Sequence, residues 1–225
     1  DHSDLVIGNP PFADTAIQSD PDYPQGFLLH DYFFAKSLDA VRPGGLLAFV
    51  TSAGTMNKMD TKARDYLADR ADLVGAFRLP GSAFKDFAGT EVTTDIIILR
   101  KRMEGEAEAD PSWRKAEQVT LPGPDGEQTT GLTNSYFKEN PDNVLGEQGF
   151  FDKLYKGRYA VRSRPGQDLD ADLADAVLRL PENVISERSV NDELSDRVDN
   201  DVSERKPGSF YIKGGKLYQF DGRQG

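Results

Sequence analysis

A short apolar run, Leu5-Val6-Ile7-Gly8, is cut off by Asn9-Pro10-Pro11-Phe12, and this junction limits the folds open to the chain more than any other feature. The run reads as a buried strand of an α/β sheet, opening at Asp4. Two consecutive prolines then remove two backbone donors and fix two φ angles, so no strand ladder continues through them. Asn9 and Phe12 are thereby held on a stiff hinge at the carboxyl end of the strand, where α/β sheets bind ligands.

The pattern downstream is strand and helix in alternation. Residues 13–26, with the turn formers SDPDYPQG, read as a mobile polar loop. Leu28, Leu29, Tyr32, Phe33, Leu38 and Val41 recur at helical spacing over residues 27–41, and Arg42-Pro43-Gly44-Gly45 stops that helix. Residues 46–50 form a buried strand, which completes a parallel crossover unit. A loop over 51–59, a polar helix over 62–70, a strand over 72–79, a loop opened by Pro80-Gly81 and a strand over 94–99 follow. This is half of a doubly wound sheet.

Composition and charge shift near residue 104. Residues up to 103 hold 11 basic and 14 acidic side chains, and the remainder holds 16 and 24. The expected organisation is therefore a sheet domain over 1–103, a mixed α+β extension over 104–181, an acidic linker over 182–207 and a small hairpin over 208–225 with Gly214-Gly215 at its turn. A second hairpin is expected around Pro124-Asp125-Gly126, and a short helix near 169–180.

The chain has no cysteine, which excludes disulfides, thiolate-bound zinc and cysteine nucleophiles. With only His2 and His30, a histidine metal site is not expected. The net charge of −11 is opposite to that of a protein that grips phosphate by itself. No run approaches the roughly 18 apolar residues of a membrane span. The chain reads as cytosolic, without a membrane partner, and as a piece of a longer polypeptide, since a strand begins almost at once after Asp1.

The hinge has a definite chemistry. The Asn9 side-chain oxygen and the Pro10 carbonyl are two neighbouring acceptors, and Phe12 offers a flat apolar face beside them. Such a set suits a planar NH2 group: two accepted hydrogen bonds localise the nitrogen lone pair while stacking fixes the ring. Other polar features have blander readings. Asp31 at a helix start reads as a dipole partner, with His30 a surface or helix-packing residue. Arg100-Lys101-Arg102 reads as a solvated charge run, and Tyr136, Phe137, Phe150, Phe151 and Tyr155 as the core of the extension.

DLVIGNPPF, residues 4–12, resembles the catalytic motif of the S-adenosylmethionine-dependent N6-adenine DNA methyltransferases, which flip an adenine from the duplex and methylate its amine. The likeness continues in order through residues 1–103, including RPGG at 42–45 and FKDFAGTEVTTDIIILRK at 84–101. It implies a partial Rossmann-like methyltransferase sheet, truncated at the N-terminus. It further implies Asn9, Pro10, Pro11 and Phe12 as catalytic residues, Phe12 also as a base-binding residue, and Phe87, before the Ala88-Gly89 turn, as the ring on the far face of the base. Phe84 is the alternative for that ring. S-adenosyl-L-methionine is the implied cofactor. The glycine-rich motif and the acidic residue that hold it in that family precede NPPF, so they are expected upstream of Asp1, and these 225 residues alone are expected to be inactive. Residues 134–146 resemble a segment of large methylase-helicase fusion proteins of phages and mobile elements, which implies a helicase domain in the same polypeptide and DNA as a partner through that larger protein. Two alternatives stay open: methylation of a protein glutamine amide or an RNA base amine, and a non-catalytic module that binds DNA or a restriction enzyme.

Overall fold

The computed structural model describes residues 2–12, 15–17, 20–23, 26–84, 92–151, 157–186, 210–213 and 216–219. At its centre is a four-stranded sheet of β1 (Ser3–Gly8), β4 (Val41–Ser52), β5 (Ala71–Leu79) and β6 (Thr94–Lys101), in the order β1-β4-β6-β5. β1 and β4 are parallel, and β6 runs antiparallel to both of its neighbours. β1, β4 and β5 therefore all end at one edge of the sheet, and β6 starts there. The result is a partial doubly wound α/β sheet, with the crossover helix expected between its first two strands. Sequence reasoning did not place β6 between β4 and β5. Its Ile96-Ile97-Ile98-Leu99 run marks a central strand buried from both sides.

α1 (Leu29–Ala40) links β1 to β4, and α3 (Lys62–Ala68) links β4 to β5. Both pack on one face of the sheet, where Phe34, Leu38 and Leu67 meet Leu47, Phe49, Ile97 and Leu99. RPGG does not end in a clean turn. It forms an irregularity inside β4: Ser3 lies opposite Val41 but Leu5 opposite Leu46, and Gly44 takes φ +75°, which only glycine adopts freely. The expected loop over 51–59 contains a single helical turn, α2 (Gly54–Asn57).

Of the polar loop over 13–26, the described residues make specific contacts. β2 (Ala16–Ile17) and β3 (Phe27–Leu28) pair across its base. Lys36 and the Tyr32 hydroxyl both donate to Asp20, at 3.0 and 2.8 Å, and the Tyr23 hydroxyl donates to Asp39 at 2.8 Å.

Downstream, β7 (Ala116–Pro122) and β8 (Gln128–Asn134) form the expected hairpin, with Gly126 at φ +82°. α4 (Ser135–Glu139), the pair β9 (Glu147–Gly149) and β10 (Ala160–Arg162), and α5 (Leu169–Val177) follow. Trp113, Phe137, Val144 and Val161 join the core of the first sheet face. α5 lies on the second face, where Leu169, Leu173 and Ala176 meet Phe77, Leu79, Ile96 and Ile98. Residues 2–185 form one compact unit; residues 186–225 belong to a second, whose described part is the hairpin β11 (Phe210–Lys213) and β12 (Lys216–Gln219). No helix among the described residues is long and apolar enough to cross a membrane.

Candidate active site

β1 stops at Gly8, opposite Phe49 of β4, and the hinge follows at the edge of the sheet where β4 and β5 also end. Pro10 is buried while Asn9 and Pro11 are exposed, and Phe12 retains 43% of its accessible surface. A buried proline between exposed neighbours anchors the hinge and leaves the polar group of Asn9 and the ring of Phe12 facing solvent. The strand leading to them is not the buried strand expected. Leu5 and Ile7 are 45% and 72% exposed while Val6 packs against the core, because β1 is the outermost strand and no described residue forms a layer over its second face.

Phe87 lies outside the described residues. Phe84 closes the 3-10 turn Gly81–Phe84 and packs against the cluster of Phe77, Leu79 and Leu145, so it contributes to the core of the second face. Tyr155 also lies outside the described residues; Phe137, Phe150 and Phe151 are buried, as a packing role requires. The run at 100–102 is not merely solvated. Arg100 forks onto Glu106, Lys101 donates to the Val41 carbonyl at 2.7 Å, and Arg102 grips Asp72 and the Ala68 and Ala71 carbonyls. These three side chains clasp the far end of the sheet.

Two buried polar groups near the site-bearing edge carried no sequence signal of their partners. His30 and Asp31, in the first turn of α1, are 4% and 2% exposed, so His30 is not a surface residue. Asp31 pairs with Lys58, just after α2, and its other oxygen lies 3.4 Å from His30 Nε2. Arg78 and Asp95, both fully buried, form a two-pronged ion pair at 2.7 and 2.8 Å between the ends of β5 and β6. Burial opposes the Arg78 charge, but the Asp95 carboxylate more than offsets it and raises the guanidinium pKa above its ordinary value. The ring of Phe137 stacks 4.0 Å from the guanidinium carbon.

S-adenosylmethionine, implied by the motif, requires a cradle beside the hinge. An open cavity of about 500 Å³ is lined by Pro122, Gly123, Glu147, Gln148, Phe151 and Arg162 at the turn of the β7–β8 hairpin, with no hinge residue in its wall. Among the described residues no group of three or more His, Asp or Glu side chains is placed to hold a metal. What the arrangement offers is an exposed amide and an exposed ring on a proline-stiffened segment anchored by Pro10.

No family model matches the sequence. A curated relative, the Defense against restriction protein B of Escherichia phage P1, is 28% identical over 166 residues, which cover 72% of this chain and 7% of that protein. The chain thus spans only a small part of that relative's length. Among solved structures it is similar to a putative class I S-adenosylmethionine-dependent methyltransferase of Listeria monocytogenes, at 22% identity over 49% of this chain and 35% of that one, with a TM-score of 0.39. The M protein of the type I restriction enzyme EcoKI matches at 22% identity over 65% of this chain and 31% of its own, also with a TM-score of 0.39. A modification subunit of a putative type I restriction enzyme from Vibrio vulnificus matches at 16% identity over 76% and 40%, with the same TM-score.

Proposed function

We propose that this chain carries the amine-binding half of a site that transfers a methyl group from S-adenosylmethionine to the exocyclic N6 amine of a flipped adenine in DNA. The observation that carries the reading is the exposed Asn9 and Phe12 on either side of prolines, one of them buried, at the carboxyl end of a parallel strand. In this reading the Asn9 side-chain oxygen and the Pro10 carbonyl accept the two N–H bonds of the amine. Its nitrogen then carries a localised lone pair, and Phe12 stacks on the base to hold the line of attack. When bound, the cofactor supplies the electrophilic methyl group. We place its cradle in polypeptide outside these residues, together with the main DNA grip, because the chain's net charge of −11 repels phosphate. Phe87 closes on the far face of the base, and a helicase domain belongs to the same larger protein.

The phage P1 relative is named for defence against restriction; adenine methylation is a chemistry that serves such a role, and we extend it to this chain. The test is incorporation of labelled methyl groups into DNA, RNA and protein by the complete encoded polypeptide. Label in DNA at adenine N6 is expected; label confined to glutamine amides or RNA supports one alternative, and no label in any of the three supports a non-catalytic module.

A further inference from the structure

The distinctive segment over residues 134–146 has no part in the chemistry above, yet Asn134 is fully buried and its amide is engaged on both sides. Its side-chain N–H groups donate to the Met56 and Trp113 carbonyls, both at 2.8 Å. Its side-chain oxygen caps α4 by accepting from the Tyr136 N–H at 3.0 Å, and its own backbone N–H donates to Asn57 Oδ1 at 2.9 Å. Two of these bonds land on α2.

α2 is only four residues long, Gly54–Asn57, and a single turn does not sustain itself. Its conformation is imposed from outside. Arg64, fully buried, donates to the Thr55 and Lys58 carbonyls at 2.9 and 2.7 Å. Lys58 reaches Asp31, the Ala53 N–H donates to the Thr93 carbonyl at 3.0 Å, and Asn134 holds Met56 and Asn57. β4 is the direct neighbour of β1, with Gly8 opposite Phe49, so α2, which follows the end of β4 at Ser52, comes off the strand next to the one that leads into the hinge. The downstream segment grips this end of the sheet again where the Val161 N–H donates to Thr93 Oγ1 at 2.9 Å and Thr133 accepts from Arg78 at 3.2 Å.

We propose that Asn134 is a positioning residue: by seating α2 at the end of the sheet that also carries the hinge, it fixes the surface against which the target amine is presented, which makes the segment downstream of the sheet a working part of the site. The presentation step rests on the amine-methylation reading; the seating of α2 does not. Asn134→Ser separates the roles, since a serine oxygen still caps α4 while both N–H donors are lost.

In the complete encoded polypeptide, Asn134→Ser is expected to speed amide hydrogen exchange across residues 54–58 by about tenfold or more, with the β5–β6 core unchanged. Its kcat for methyl transfer should fall about tenfold to a hundredfold while KM for DNA stays within about threefold. In an Asn9→Ala background the same substitution should cost no more than about a further twofold, because both act on one step. Asn57→Ala, which removes a single bond to Asn134 from a half-buried position, serves if Asn134→Ser does not fold, with the same pattern at smaller size. Unchanged exchange over 54–58, or acceleration spread through the whole fold, overturns the proposal. An unchanged kcat alongside faster local exchange also overturns it. If the unsubstituted protein transfers no methyl group, the functional reading fails, and exchange alone decides whether Asn134 seats α2.

Discussion

The two edges of the central sheet contrast sharply. At β5, Phe77 and Leu79 retain 1% and 3% of their accessible surface under α5 and Leu145. On the same face, Ile96 and Ile98 of β6 and Leu46, Ala48 and Val50 of β4 are half-buried, and at β1 Leu5 and Ile7 reach 45% and 72% exposure. Cover thins strand by strand across one surface. A doubly wound sheet with parallel strands is stable when both faces are covered, and among the described residues that cover is present over β5 and absent over β1. The hinge that bears the proposed chemistry lies on the open side. Covered and open strands thus lie at opposite sides of the sheet, and substitutions at the two should have opposite signatures.

The largest effect is expected at the closed edge. Arg78→Met leaves Asp95 buried and unpaired, which should cost about 3–5 kcal/mol of unfolding free energy in denaturant titration. Arg78→Met with Asp95→Leu should recover much of that loss, since neither charge is then stranded. Recovery of nothing by the double variant would mean that the stacking of Phe137 on Arg78, rather than charge pairing, joins the downstream segment to the sheet.

Matched truncations sharpen the contrast. Phe77→Ala should cost about 3–5 kcal/mol, whereas Ile7→Ala at the open edge should change stability by no more than about 0.5 kcal/mol. Ile7→Lys should leave the 225-residue chain equally stable and less prone to self-association in sedimentation, because an unprotected edge strand with exposed apolar side chains pairs with other chains and a lysine there resists it. Equal losses from Phe77→Ala and Ile7→Ala would show that the open face is covered after all.

The smallest effect concerns the loop after the hinge. Donation from Lys36 and from the Tyr32 hydroxyl holds the Asp20 pKa below its ordinary 3.8. A folded-state pKa lower than the unfolded one contributes a tie that is complete above the unfolded value and lost as pH falls through the folded value. Protection of the Asp22 amide, taken relative to its intrinsic exchange rate at each pH, should therefore hold at pH 5 and fall as the pH is lowered beneath 3.8 through the depressed folded-state value, and Asp20→Asn should remove that dependence.

Much of this was legible in the sequence, and the failures have physical causes. The apolar runs of β4, β5 and β6 and the helical spacing of α1 state their elements directly, as does the Asp125-Gly126 turn. The exposure of β1 could not be read from Leu5-Val6-Ile7, because an apolar run looks the same whether or not a neighbour lies beside it. α2 escaped notice because four residues carry no period. The pairs Arg78–Asp95 and Asp31–Lys58 join residues 17 and 27 positions apart, and no local rule connects such positions. The hinge was legible because two prolines act on the backbone locally, whatever the surroundings.

The proposed role of Asn9, accepting from the amine as it is methylated, is decided by the kinetics of Asn9→Ala in the complete encoded polypeptide on DNA containing the target adenine. Losing one oriented acceptor should lower kcat by about a hundredfold, on the order of 3 kcal/mol, with affinity for DNA and for S-adenosylmethionine nearly unchanged. An unchanged kcat would contradict the account.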